Sequence, residues 1–281
     1  MPRRDAPVRR TKIVATIGPA SDEPATLAAM AAAGMNVARV PLAHGTTEDA
    51  LARIERVRAA VPHVGILADL PGPKIRSAPF AAGGVVLEAR STVELVTAAP
   101  GELSRGDRIG VADPELVGCL EPGDRVAIGD GGIALEVVGT GDGRATAEVR
   151  SGGMVQGRPG ITATGARITL RTPTPEDLDR MAALAAAEVE AVAASFVRSA
   201  RDIEELRAVA GDAPPMIVAK IETAEAAGDL DAIIDAADGV MVARGDLGVR
   251  LPLEDVPHIQ KQIIHAAVRY GRPVITATQM L

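Results

Sequence analysis

Two short apolar runs carry the chemistry of this chain: Val218-Ala219-Lys220-Ile221-Glu222 and Met241-Val242-Ala243-Arg244-Gly245-Asp246-Leu247-Gly248. Side chains alternate along a strand, so Lys220 and Glu222 point to one side while Ile221 packs behind them. A cation and a carboxylate thus face a common site. Asp246, ending the second run, gives that site another carboxylate, a donor set suited to Mg²⁺ with substrate oxygens completing its shell. This arrangement predicts phosphoryl or enolate chemistry. The rival reading, a structural ion pair between Lys220 and Glu222, is costly to bury and adds little stability. Asp246 could equally cap the helix that follows Gly245, a role compatible with metal binding.

The elements that must position these groups alternate along the chain. Strands are predicted at Lys12 to Ile17, Met35 to Val40, Val64 to Ala68, Glu190 to Ala194, Met216 to Lys220, Gly239 to Ala243 and Pro273 to Thr278. Between them, helical periodicity predicts helices at Glu23 to Ala33, Thr47 to Ala60, Pro175 to Ala187, Ala200 to Val209, Ala224 to Ala237 and Leu253 to Tyr270. Thr174-Pro175-Glu176 is a helix start with a hydroxyl cap, a first-turn proline and an acid near the positive end of the dipole. Gly34 and Gly271 stand where helices should stop. Repeated strand-helix units predict a parallel sheet, and their number favours a closed barrel over an open sheet. The alternation breaks between about Ser77 and Leu170, where Gly and Pro punctuate short Val-rich runs. That pattern predicts a small β domain inserted after the third strand, over the catalytic face and placed to act as a lid.

Composition narrows the function further. The hydrophobic fraction is 47%, yet the aromatics are only Phe80, Phe196 and Tyr270. The core must therefore be built from Ala, Val, Leu and Ile in regular layers. A net charge of -7 argues against nucleic acid as a partner, since phosphate backbones call for clustered Lys and Arg. The basic stretch from Arg3 to Arg10 reads as a solvated tail. Cys119 is the only cysteine and cannot form an internal disulfide; no apolar run has the length of a membrane span or a signal peptide. A cytoplasmic protein is expected. His63, His258 and His265 lack the spacing of a metal site. Ser195, at a strand end, is expected to line the pocket and has no His or Asp pattern to make it a nucleophile.

Seven stretches, in order along nearly the whole chain, resemble the motifs of the pyruvate kinase family. They are Thr11-Lys12-Ile13-Val14 with Thr16-Ile17-Gly18-Pro19-Ala20, Gly34-Met35-Asn36-Val37-Ala38-Arg39, Gly72-Pro73-Lys74-Ile75-Arg76, Ala194-Ser195-Phe196-Val197-Arg198, Ala219-Lys220-Ile221-Glu222, Val242-Ala243-Arg244-Gly245-Asp246-Leu247-Gly248 and Ile275-Thr276-Ala277-Thr278-Gln279-Met280-Leu281. The resemblance implies phosphoryl transfer from phosphoenolpyruvate to ADP, giving pyruvate and ATP in glycolysis. It implies Glu222 and Asp246 as ligands of Mg²⁺ or Mn²⁺, Lys220 as the cation that neutralises the phosphoryl group in flight, and Arg39 as a second phosphate contact. The amides of Gly245 and Asp246 would hold the substrate carboxylate. Thr278 would help deliver the proton to the enolate carbon, while Arg76 and His44 would contact nucleotide phosphate. The fold implied is an α/β (β/α)8 TIM-type barrel, with residues 1–76 and 171–281 in the barrel and 77–170 as an inserted all-β lid domain.

The chain departs from the family's pattern at its monovalent-cation site. Pro41 and Ala43 stand where potassium-dependent members carry side-chain oxygens, Leu70 replaces a Thr, and Asp69 is left as the obvious remaining metal ligand. Lys74 stands where those members carry a Glu, which resembles the potassium-independent branch, so K⁺ is not expected to be required. The sequence also stops at Leu281, just after the seventh strand, so the fold is expected to be incomplete at its C-terminal end, without the eighth strand and the family's C-terminal domain. Family resemblance implies a homotetramer, but part of the contact surface lies outside this sequence. Two further readings stay open: a Mg²⁺-dependent lyase or aldolase acting on a 2-oxo acid, and a catalytically impaired pyruvate kinase remnant.

Overall fold

The computed structural model describes residues 9–43, 45–129, 131–164 and 170–277. The first part of the chain alternates β1 (Val14–Thr16), α1 (Pro24–Ala33), β2 (Val37–Pro41), α2 (Thr47–Ala60) and β3 (Gly65–Asp69). There follow β4 (Val85–Leu87), β5 (Thr92–Thr97), β6 (Arg108–Val111), α3 (Pro114–Cys119), β7 (Arg125–Ile128), β8 (Ile133–Gly141), β9 (Arg144–Ser151), β10 (Gly153–Val155) and β11 (Ile161–Thr164). Strand-helix alternation then resumes with α4 (Pro175–Ala186), β12 (Ala191–Ala194), α5 (Ala200–Val209), β13 (Met216–Ile221), α6 (Ala224–Gly228), α7 (Leu230–Ala236), β14 (Gly239–Ala243), α8 (Arg244–Arg250), α9 (Val256–Arg269) and β15 (Val274–Ala277).

The seven expected strands form one curled parallel sheet in the order β1-β2-β3-β12-β13-β14-β15. This is the half-barrel arrangement of an α/β chain; the sheet as described ends at β1 and β15 rather than closing. Its two faces are set by alternation. Ile66, Ala68, Val192, Ala194, Ile217, Ala219, Val240 and Val242 pack outward into the large core shared with the helices. Leu67, Ala193, Val218 and Met241, the residues between them, form a separate small apolar cluster on the inner face. Parallel neighbours need crossover connections, and the amphipathic helices serve as those crossovers while covering the outer face.

Local signals operate as expected. Gly34 ends α1 with φ at 116°, its amide donating to the carbonyls of Met30 and Ala31. Thr174 caps α4 through a reciprocal pair in which its hydroxyl accepts from the Asp177 amide and the Asp177 carboxylate accepts from the Thr174 amide. Two helices differ from expectation. The continuous helix expected over Ala224 to Ala237 is split into α6 and α7 at Asp229, after Gly228. The last helix starts at Val256, with Pro257 in its first turn, where the missing amide costs no intrahelical bond.

The stretch from β4 to β11 builds its own sheet, ordered β11-β7-β8-β9-β5-β6, and a separate two-stranded pair, β10-β4. Most of its pairings are antiparallel, β5 with β6 being parallel. Leu87, Leu95, Ile109, Leu135 and Val149 lie in a core of its own. The unit is not all-β as expected, because α3 packs into that core through Leu116 and Val117. Asp113 and Pro114 supply an N-cap and a first-turn proline, enough to start a helix that strand-oriented reading passes over. The incoming and outgoing segments lie side by side: the Ile161 amide donates to the Ile75 carbonyl, and the Ser77 amide to Pro159.

Candidate active site

The inner face of the parallel sheet changes from apolar to polar two residues closer to the carboxyl ends of its strands. Val14, Val37, Leu67, Ala193 and Val218 belong to the inner apolar cluster or pack against it. Two residues on, alternation places Thr16, Arg39, Asp69, Ser195 and Lys220 on the same side. These five residues form a continuous polar network. Arg39 donates from Nε to Asp69 Oδ2 at 2.6 Å, a second guanidinium nitrogen meets the same oxygen, and Nη1 donates to Thr16 Oγ1 at 3.0 Å. Lys220 Nζ donates to Ser195 Oγ at 2.6 Å and to Asp69 Oδ1 at 3.3 Å, and lies 3.0 Å from Glu222 Oε1.

Lys220 and Asp69 are buried and Glu222 is wholly so. Burial alone would depress the ammonium's pKa, but the charges of Glu222 and then Asp69 outweigh it, and Lys220 is held above the ordinary lysine value. Glu222 is also raised, first by burial and then by the nearby charge of Asp246, with Lys220 acting in the opposite direction. Its Oε2 accepts from the Phe196 amide at 2.8 Å. Its Oε1 has the Lys220 charge close by, yet no donor is aligned on it to form a hydrogen bond. A buried carboxylate oxygen without an aligned donor, with a second carboxylate near enough to repel it, fits a divalent cation.

Among the described residues no three His, Cys, Asp or Glu side chains come together as a metal-binding group. Asp69, expected as a ligand, meets Arg39, Lys220 and, at 3.5 Å, the Ser195 hydroxyl. Glu222 and Asp246 remain as the pair whose surroundings suit Mg²⁺, which commonly takes one or two carboxylates. Gly245 and Asp246 lie in the first turn of α8, directly after β14. Asp246 Oδ1 is 3.6 Å from Lys74 Nζ. The Lys74 stem crosses Gly160 so closely that a Cβ there would fall 2.5 Å from Lys74 Cε, which explains a glycine at that position.

Arg76 stands apart from the Lys220 network, on the segment entering the inserted sheet. Its Nη1 donates to the Arg158 carbonyl at 3.0 Å, and its pKa is lowered by burial and then by the neighbouring Arg158 charge. A cleft of about 1030 Å³ runs between Arg125–Ala134 and Arg244–Gln260; Gly245 lines it, whereas Lys220 and Glu222 do not. Thr278 and His44 lie outside the described residues. Sequence reading missed Ser195 and Thr16 as direct partners of Lys220 and Arg39. Each sits one alternation step above an inward-facing apolar residue, the signal that would have found them.

A parallel α/β sheet of barrel type, with cations and carboxylates gathered at the carboxyl ends of its strands, defines the class: a domain of the α/β barrel kind. The chain belongs to the pyruvate kinase family, whose barrel domain matches residues 8–281. It is similar to the pyruvate kinase of Methylorubrum extorquens, with 41% identity over 97% of this chain and 57% of that protein. Identity to the Geobacillus stearothermophilus pyruvate kinase is 40% over 97% of this chain and 48% of the relative. For the Mycobacterium tuberculosis pyruvate kinase it is 41%, covering 97% and 59%. The chain thus spans about half the length of the curated relatives it matches. Among the described residues, no helix is long and apolar enough to cross a membrane.

Proposed function

We propose that this chain carries the phosphoenolpyruvate site of a pyruvate kinase and transfers the phosphoryl group to ADP. The observation that carries this reading is the buried ammonium of Lys220, held among Asp69, Ser195 and Glu222 with Arg39 beside them. In the reaction the bond from phosphorus to the enol oxygen breaks as a bond to the terminal ADP oxygen forms, and the enolate carbon then gains a proton. Negative charge is spread over the phosphoryl oxygens in the transition state, where a fixed cation stabilises it without reorganising. Lys220 serves as that cation, and Arg39 holds the same phosphate. The amides of Gly245 and Asp246 bind the substrate carboxylate, Thr278 assists protonation of the enolate carbon, and Arg76 and His44 contact nucleotide phosphate.

Mg²⁺ or Mn²⁺ would be held by Glu222 and Asp246, and when bound it supplies charge neutralisation and Lewis-acid polarisation of the substrate oxygens. Lys74, with its ammonium beside Asp246, stands in for a monovalent cation, so turnover does not depend on K⁺. The unit from β4 to β11, within residues 77–170, acts as the lid. Glycolysis, a cytoplasmic location and assembly as a homotetramer belong to the same reading, by analogy with the family.

A lactate dehydrogenase-coupled assay on purified, monodisperse protein tests it. Pyruvate should form from phosphoenolpyruvate and ADP, and Lys220→Met should lower kcat by roughly 100- to 1000-fold, the cost of losing one transition-state donor. Equal activity in the variant would remove Lys220 from the mechanism. Cleavage of a 2-oxo acid with no ATP formed would replace the kinase reading altogether. Exchanging K⁺ for a non-activating monovalent cation should leave turnover unchanged, and strong activation by K⁺ would eliminate the role given to Lys74.

A further inference from the structure

We infer that Ser195 is a positioning residue for Lys220, its Oγ being the acceptor that keeps the ammonium in place when phosphate and metal are bound. The inference rests on the phosphoryl-transfer reading for its kinetic consequence, but not for its geometry. An ammonium has three donors and a flexible four-carbon stem, so its position is set by whatever accepts those donors. Three oxygens surround Lys220 Nζ: Ser195 Oγ and Asp69 Oδ1, which accept hydrogen bonds at 2.6 and 3.3 Å, and Glu222 Oε1, an ion-pair partner at 3.0 Å. The two carboxylates have other claims on them. Asp69 also meets Arg39, and Glu222 Oε1 is the oxygen that a divalent cation would take. A phosphate oxygen entering the site claims one of the three donors as well. Ser195 Oγ is the shortest of these contacts and the only uncharged one, so neither ligand competes for it.

The backbone around Ser195 is arranged to hold that oxygen still. Phe196 adopts a left-handed conformation with φ at 56°, which turns its amide onto Glu222 Oε2. Gly72, on the loop after β3, also has positive φ, and a Cβ there would lie 2.8 Å from the Phe196 ring and 3.1 Å from Ser195 Cβ. The Ser195 carbonyl accepts from the buried Thr172 hydroxyl at 3.4 Å. Ser195 thus sits in a turn clamped from two sides, a sensible support for a group whose position must be kept to a fraction of an ångström.

Ser195→Ala removes the acceptor, and Ser195→Cys keeps the shape while replacing it with a weak one. Both should lower kcat by roughly 10- to 100-fold while leaving KM for phosphoenolpyruvate within about threefold, the pattern of a misplaced transition-state contact. Independently of turnover, acetylation of Lys220 by a small anhydride at one fixed pH, quantified by mass spectrometry relative to Lys261, should become faster in both variants. Restoration of kcat by Ser195→Cys would mean that the site needs only volume there and would overturn the inference. Unchanged Lys220 labelling in both variants would overturn it too, as would a loss confined to KM. If the unaltered chain turns over no phosphoenolpyruvate, the kinase reading fails, and the labelling experiment still decides whether Ser195 holds Lys220.

Discussion

Asp69 serves two cations at once. One carboxylate oxygen takes the Arg39 guanidinium and the other the Lys220 ammonium, so a single buried acid links β2, β3 and β13 at the same level of the sheet. Removing one member of a buried charge network leaves the others uncompensated, which costs far more than the network adds over an apolar replacement. Asp69→Ala is therefore expected to lower unfolding free energy by about 3–5 kcal/mol, read from chemical denaturation. A loss below about 1 kcal/mol, the range of surface pairs, would mean that water already screens the pair. The alternation of side chains made Lys220 and Glu222 readable as neighbours from sequence alone, two positions apart on one strand. The Ser195 contact was not readable, because it depends on which strand lies next to which.

At the scale of elements, the carboxyl-end loops are braced from the helix layer. Asp22, in the β1–α1 loop, accepts from Arg56 Nη2 at 2.7 Å and from Arg53 Nε at 3.3 Å, tying that loop to α2. The Arg56 hydrogen bond is the largest influence on Asp22 and holds its carboxyl below the usual value; burial opposes it, and Arg53 adds to the lowering. A carboxylate with a lowered folded-state pKa stabilises the fold above its unfolded pKa, and that contribution is lost as pH falls through the folded value. Asp22→Asn should therefore cost about 0.5–1 kcal/mol near neutral pH, discounted for partial exposure, and the gap should shrink as pH drops below about 4. Thermal melts of both proteins across that range measure it; a gap that grew on acidification would contradict the assignment. Caps and proline starts were legible because they act within one turn. The break between α6 and α7 was not, because the Ala-rich run on both sides of Asp229 is equally helical by pattern.

For the molecule as a whole, two separate cores divide the chain between the parallel sheet with its helices and the unit from β4 to β11. Leu135, wholly buried in the second core, tests how far they fold independently. Leu135→Ala is expected to cost about 2–5 kcal/mol. Hydrogen exchange should speed up across β5, β7, β8 and β9 while amides in β12, β13 and β14 keep their protection. Equal loss of protection in both would show one cooperative unit.

The sequence by itself determined the strand-helix rhythm, the place of the inserted unit and the pairing of Lys220 with Glu222, since periodicity, caps and two-residue alternation are local. Tertiary structure alone decided that Asp69 meets Lys220 across 151 positions, that Ser195 stands beside both, and that the same Asp69 also meets Arg39. The reason is strand order. β12 is hydrogen-bonded to both β3 and β13, and that register, rather than any property of the residues taken singly, brings three distant side chains to one point.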